Sequence, residues 1–600
     1  MPPVKEDNDS RALALLGKKQ VLKRRFGFWS LFGFAVCELI TWETVLALFS
    51  QGFDNGGPAA LIYGFIIAWS STLSVYTVIS ELASMAPIAG GQYYWVYMLA
   101  PPRWKVFSSY IIGWLTSLAW IATVATETIF AGTMIQGAII LDNENSYEAK
   151  RWHGTLLAWL VIAVAIFVNV VIPGALPKVE IFLIVFHIAG FIAILATLWA
   201  TAPHNSAHFV FTTSLNEGGW PTQGLSYCVG FLGNVATFVG ADASVHMAEE
   251  VENSALNIPR AIIASMCING LVGFVMMLTV LFCLGDVDSV LETATGYPFI
   301  QIFYNSVNSI SGATVMVAVV LILTWACATG IITTASRMTW SFARDKGTPF
   351  SSTIAYVSRV RRVPVVGVGV VTTLAALLTL IYIGSTTAFN DVISLTITGF
   401  YCSYFLPAAF LLWHRVKGHI EPHRKETPGL PIDDDTGMES THSNSGPVVE
   451  KIATPPGAGT ELYGEKNKQL HPDTDPPPPP PPPLQTSSSG NLPTFEIQNR
   501  RPSLIAQAPL QWGPFHLPGL LGTLNNAYAC VYMVFVIFWS VWPPVTPVDA
   551  TTMNYSVVVT SGVVIFSIVW YWVRGREEYH GPTIDDEVKA VMRLGSIVAV

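Results

Sequence analysis

Apolar residues in this chain gather in long unbroken blocks instead of recurring at helix or strand spacing. Twelve such blocks, at 28–50, 59–86, 107–140, 154–173, 178–201, 225–247, 261–284, 313–335, 364–384, 391–413, 516–541 and 553–573, alternate with polar stretches. Blocks of about 20 residues cross roughly 30 Å of hydrocarbon as helix. Lipid offers the backbone no hydrogen-bond partners, so a crossing segment of this kind has to be helical. The pattern predicts an all-α polytopic membrane protein with twelve transmembrane helices. The third block, 107–140, is long enough to include a tilted or interfacial extension.

Composition agrees with this picture. Of 600 residues, 51% are hydrophobic and 12% charged, with mean hydropathy +0.47; the charged share is about half that of a soluble domain. The net charge of −8 describes tails and loops and implies no nucleic-acid partner. All seven cysteines lie in or at the ends of apolar blocks, which argues for packing roles and against a disulfide framework. Residues 1–25 are polar and basic, and the first apolar block leads into many more, so no cleavable signal is expected.

Twelve spans place both termini on one side, and the basic residues choose that side. Of 32 Lys and Arg, only Lys150 and Arg151 fall in loops on the opposite face; the other 30 lie in the termini, in the even-numbered loops or, for Lys178, at the first residue of block five beside such a loop. The positive-inside rule then gives cytoplasmic termini. The expected organisation is a tail (1–25), ten spans (26–417), a cytoplasmic loop (418–510), two spans (511–575) and a second tail (576–600). The 418–510 loop is proline-rich, polar and acidic, with eight consecutive prolines at 476–483. That composition cannot bury a core, and it predicts disorder with a polyproline II stretch. The loop is then an inert insertion or a docking segment for a cytoplasmic partner.

Ionisable groups inside a span cost several kcal/mol and so mark cavities, partners or function. Span one carries Glu38 and Glu43, span three Trp120 and Glu127, and span six Asp242 and His246 before running into Glu249 and Glu250. Spans one and six open two successive five-helix groups, the positions at which transporters built from inverted repeats break their helices. Gly240 beside Asp242 fits a break, and Gly33 before Glu38 fits it less fully, because no second glycine follows. Each group also has a plainer reading: Asp242 as a helix cap, Glu38 as interhelical glue, Glu43 and Glu127 as groups near the outer interface or in an aqueous vestibule, His246 as a packing residue. Glu249 and Glu250 read as gating partners for loop arginines or as surface charge. The stretch His246-Met247-Ala248-Glu249-Glu250 begins like a zinc-protease pattern but lacks its second histidine. Neither a G-x-S-x-G elbow nor a phosphate-binding loop occurs, and no metal or cofactor is expected.

Several ordered stretches carry a family resemblance: Asn55-Gly56-Gly57-Pro58; Glu81 through Trp95 with Gly90-Gly91-Gln92; Leu99-Ala100-Pro101; Gly240 to Glu250 with Ile258-Pro259-Arg260; Phe342 to Phe350; Pro544-Val545-Thr546-Pro547; and Met553-Asn554-Tyr555. Together they resemble the amino acid–polyamine–organocation superfamily, and within it the fungal amino acid/choline transporter family. The likeness covers nearly the whole chain outside 418–510 and the extreme termini. It implies a leucine-transporter-like fold, two inverted five-helix repeats plus two helices, with substrate held among spans one, three, six, eight and ten and uptake driven by protons. It likewise implies an unwound segment at Gly240-Ala241-Asp242, an aromatic gate at Phe238, and a cytoplasmic re-entrant or interfacial segment at Gly90-Gly91-Gln92.

Residues and resemblance together give a substrate-binding set of Gly33, Cys37, Glu38, Thr41, Trp42, Trp120, Phe238, Gly240, Ala241, Asp242 and Tyr401. The proton-coupling or gating candidates are Glu38, Glu127, Asp242, His246, Glu249 and Glu250. The expected function is a proton-coupled secondary importer of an amino acid, a GABA-like compound or another small amine, in the plasma membrane or the vacuolar membrane. Choline or polyamine transport, or nutrient sensing without transport, are the alternatives. Spans one, three, six, eight and ten as predicted hold no Lys or Arg. A substrate carboxylate would therefore rely on backbone amides at the breaks, and a dicarboxylic amino acid is disfavoured.

Overall fold

The computed structural model describes residues 8–143, 146–423, 510–550 and 552–585. The expected disorder of the proline-rich loop, with its proline run, falls outside these residues. The described flanks of that loop are pinned together, since the Glu421 amide donates to the Leu510 carbonyl (2.8 Å) and the Trp512 amide to the Glu421 carbonyl (3.0 Å).

The described residues form helices, with isolated bridges at Phe26–Val251 and Glu421–Gln511 and no strand. Eleven described helices are long and apolar enough to cross a bilayer. The twelfth crossing is span six, which is split into Gln223–Ala236 and Ala243–His246 and so supplies no single long helix. Span three is one continuous helix, Lys105–Asp142, and span eight runs from Ile310 to Arg344, well past the predicted residue 335. Span three packs against spans four, eight and ten, span two against seven, and span one against five and seven. The protein is a multi-pass membrane protein in which spans one and six, five spans apart, are both broken.

The two breaks have different causes. In span six, Gly240 takes φ +113, a conformation that side chains resist. In span one the helix Phe28–Leu39 ends, and Thr41–Ala47 begins, at Ile40, which takes φ +29. The break thus falls seven residues beyond Gly33. A β-branched residue in that region is strained by about 1–3 kcal/mol. Side chains far away in sequence hold it: Asn269 donates to the Val36 carbonyl (3.3 Å) and accepts from the Thr41 amide (3.5 Å), and the Thr41 hydroxyl donates to the Thr237 carbonyl (3.1 Å). Gly33 serves a different purpose. A Cβ there would lie 2.6 Å from the Glu180 carbonyl oxygen, so its bareness lets span one touch the span-five backbone.

Both described ends of the chain lie at the same end of the bundle, where the Lys19 amide donates to the Asp585 carboxylate (2.7 Å). They are docked segments there, not free tails. Lys18 pairs with Asp345, which also accepts from the Thr583 amide (3.0 Å) and the Tyr93 hydroxyl (2.8 Å).

Candidate functional site

The two breaks face one another, with the Glu38 carbonyl 3.5 Å from where a Gly240 side chain would begin. Ten of the eleven residues of the sequence-derived binding set lie on the broken spans or in span three, and all eleven are buried. Their surroundings divide them into groups with filled and unfilled hydrogen-bonding capacity.

Asp242 is filled. It accepts from the Gln92 amide (2.7 Å) and the Tyr404 hydroxyl (2.5 Å), with His246 Nε2 3.6 Å away. The amides of Gly240 and Ala241 both donate to the Tyr76 hydroxyl (3.1 and 3.2 Å). Tyr76 and Asn269 therefore cap the broken ends that were expected to receive a substrate carboxylate. The Gly90-Gly91-Gln92 segment, expected to be re-entrant or interfacial, starts a buried helix, Gln92–Leu99, whose first side chain reaches Asp242. His246 bonds the Ala89 carbonyl through Nδ1 (2.8 Å) and stands edge-on to Trp120, whose ring also meets Phe400. Phe238 packs on Phe65, with ring centroids 4.9 Å apart. The Tyr401 hydroxyl turns to Thr72 (3.3 Å), and it is Tyr404, three residues on, that reaches Asp242.

Glu38 is unfilled. Its Oε2 is buried and has no partner among the described residues, and its Oε1 lies where a side chain on Gly330 of span eight would begin. The glycine is required there, because a Cβ would sit 1.7 Å from that oxygen. Glu38 interacts electrostatically with Glu180, Glu127 and Asp242. The Cys37 thiol donates to the Glu180 carboxylate, and Cys327 Sγ donates to the Glu38 carbonyl (3.6 Å). The second carboxylate oxygens of Glu43, Glu127 and Glu180 are also buried without partners among the described residues. Glu43, whose plainer reading is an outer-interface or vestibule group, is buried and paired with His187 of span five (Oε1 to Nδ1, 2.8 Å). The Trp42 ring packs against His187 and Phe191.

Sequence reasoning missed Glu180 and His187, although both fall inside its fifth span. They are seven residues apart, two helical turns, and so share a face. The rule that singled out Glu38, an ionisable group inside an apolar block, applies equally to them.

Glu249 and Glu250 are fixed in ion pairs with span eight itself rather than with loop arginines. Arg344 binds Glu249 through two nitrogens (2.7 and 2.9 Å), and Arg337 Nε bonds Glu250 at 2.9 Å. Arg337 is buried, so the extended span eight does carry a cation, already neutralised.

Residues 26–433 match the amino acid permease family. A Macrophomina phaseolina protein named as an amino acid/polyamine transporter is 32% identical over 64% of this chain and 85% of its own length. The choline transporter of Saccharomyces cerevisiae is 26% identical over 96% of this chain and 86% of its own. The GABA-specific permease of the same yeast is 28% identical over 68% and 72%. With the match spanning both broken helices and all ten spans of the two repeats, the chain belongs to the amino acid permease family of membrane transporters.

Proposed function

We propose that the protein is a proton-coupled secondary transporter that imports a small amine-bearing metabolite, and that it binds the amine first, at Glu38. One observation carries this reading: a buried carboxylate oxygen at the junction of spans one and eight lacks a partner among the described residues, as do oxygens of three neighbouring carboxylates. Unpaired buried acceptors are expensive, and a cationic nitrogen satisfies several of them at once. Among the described residues, the only basic side chain bonded to this acidic group is His187, so a substrate with a second negative charge is disfavoured.

The capped amides at residues 240 and 241 move the preference from an amino acid or GABA-like zwitterion towards a net cation, of the choline or polyamine kind. A zwitterion has openings at two residues of the binding set: the Trp42 and Trp120 indole N–H groups are buried and unpartnered among the described residues, and could donate to a carboxylate. Names borne by relatives include both classes. For the coupling proton, Glu43 and His187 form the better-placed pair, since Asp242, Glu249 and Glu250 are all engaged. The orientation expected from the basic residues puts the docked termini in the cytoplasm, which makes the closed ion-paired end the inner gate.

Uptake of labelled choline, putrescine, GABA and glutamate into cells producing the protein, with and without a protonophore, tests the reading. Concentrative uptake of an amine, abolished by the protonophore, is expected. Glutamate as the best substrate, or uptake indifferent to the proton gradient, would overturn it.

A further inference from the structure

A cavity of about 640 Å³ opens on the flank of the bundle between spans two, six and eleven, beside the short helix Ala207–Thr212. Its walls are rings: Tyr63, Phe211, Tyr227, Phe231, Tyr528 and Phe535. Tyr63 and Tyr528 are 53% and 50% exposed, on a flank that hydrocarbon covers in a membrane. None of the residues lining the cavity is charged. Along span two the lining runs from Ala59 to Ser71, about 18 Å of helix, so the cavity lies mostly within one leaflet.

Polar groups occur at two levels. Near the loop that leads into span six, Ser214 and Tyr227 share a hydrogen bond of 2.6 Å; deeper, Ser71 and Tyr528 share one of 2.7 Å. Tyr532 forms part of the inner wall, and its hydroxyl meets Thr72 (3.2 Å). Thr72 meets Tyr401 (3.3 Å), the Tyr401 ring lies 6.1 Å from that of Tyr404, and Tyr404 donates to Asp242. A continuous line of contacts therefore joins this flank to the span-six break.

We propose that the cavity is a binding site for a membrane sterol, with the sterol hydroxyl at the Ser214–Tyr227 pair and the fused rings against the aromatic walls, and that the bound sterol braces Tyr532 and through it the Asp242 site. The chemistry separates a sterol from a phospholipid. A phospholipid brings a phosphate that wants a cation, and none lines the cavity. Its flexible chains also lose freedom when ordered against rigid walls, whereas a fused-ring molecule is already ordered. A single hydroxyl, by contrast, matches the hydroxyl pair at the rim.

The test uses the full chain purified into sterol-free phosphatidylcholine vesicles. A diazirine-bearing sterol is photolysed there, and the labelled peptides are mapped. Labelling is expected on spans two and eleven, displaced by tenfold excess unlabelled sterol and reduced at least fivefold in Val531→Trp. That substitution adds bulk at a rim position that is 70% exposed, so folding tolerates it; Ala60→Phe, filling the cavity from span two, is the second variant. Labelling spread over other lipid-facing helices, or unchanged by both variants, would overturn the site. Labelling of the cavity by a diazirine acyl phospholipid but not by the sterol would overturn its assignment. In the same vesicles, sterol is expected to raise tracer amine uptake at least twofold in the parent and not in Val531→Trp. This arm alone rests on the transport reading; unchanged uptake with intact labelling would remove the bracing and leave the site.

Discussion

Buried charge is handled in opposite ways at two levels of this bundle. At the end that carries the termini, acidic groups are matched: Asp345 with Lys18, Glu249 with Arg344, Glu250 with Arg337, and Glu81 with Arg415 (2.6 Å). Around the span-one break no Lys or Arg is bonded to them among the described residues, and Glu38, Glu43, Glu127 and Glu180 each keep an oxygen without a partner there. A matched set holds elements together and needs nothing further. An unmatched set is costly in the empty protein and becomes favourable only when a cation arrives. On the proposed function, the same residue type thus builds a latch at one level and an amine receptor at the other.

The comparison breaks most visibly if a latch pair is split. Glu250→Gln leaves the buried Arg337 charge unpaired, which costs about 3–5 kcal/mol. Thermal unfolding in detergent should move down by several degrees, and a joint replacement, Glu250→Gln with Arg337→Met, should recover most of the loss. Equal melting of Glu250→Gln and the parent would mean that the pair holds nothing.

At the receptor level, Gly330→Ala should displace the Glu38 carboxylate, because the new Cβ would overlap its Oε1. A lost charge-assisted contact is worth about 1.5–3 kcal/mol, so apparent affinity for a tracer amine should fall roughly tenfold or more at unchanged surface abundance. Unchanged affinity would show that Glu38 does not meet the substrate from that position.

Asp345 sharpens the latch side through pH. Burial alone would raise its carboxyl, but Lys18, Arg344 and the Thr583 amide outweigh burial and hold it below its ordinary value. A depressed carboxyl contributes stability that is complete above the unfolded value of about 3.9 and is lost as pH falls through the folded value. The melting temperature of the parent should therefore drop below about pH 4, and that of Asp345→Asn should change less over the same range. Parallel curves would remove Asp345 from the latch.

The smallest effect belongs to the proline-rich insertion. Deleting residues 425–505 should leave the Michaelis constant for uptake unchanged, since the flanks are already tied by the Glu421–Gln511 bridge and shortening a long loop changes closure entropy by only about 0.6 kcal/mol per halving. A lost affinity in correctly localised protein would assign the insertion a role in the site.

Where the sequence was legible, the reason is that one residue type decides the local structure. Blocks of apolar residues specify spans, and Gly240 beside Asp242 specifies the span-six break. The break at Ile40 was not legible, because nothing local demands it; Asn269 and Thr237 hold it from more than 190 residues away. The filling of Asp242 by Gln92 and Tyr404, and the capping of residues 240 and 241 by Tyr76, depend in the same way on helices meeting in space. Arg337 escaped because hydropathy ended span eight too early, although the helix continues for nine more residues to Arg344.

The account's central claim is that Glu38 receives the substrate amine. Equilibrium binding of a labelled amine substrate to purified parent and Glu38→Gln protein, with Glu249→Gln as the latch control, tests it most directly. The account predicts that Glu38→Gln binds at least tenfold more weakly while keeping the parent's melting temperature, and that Glu249→Gln loses stability before it loses affinity. Parent-like binding by Glu38→Gln would contradict it.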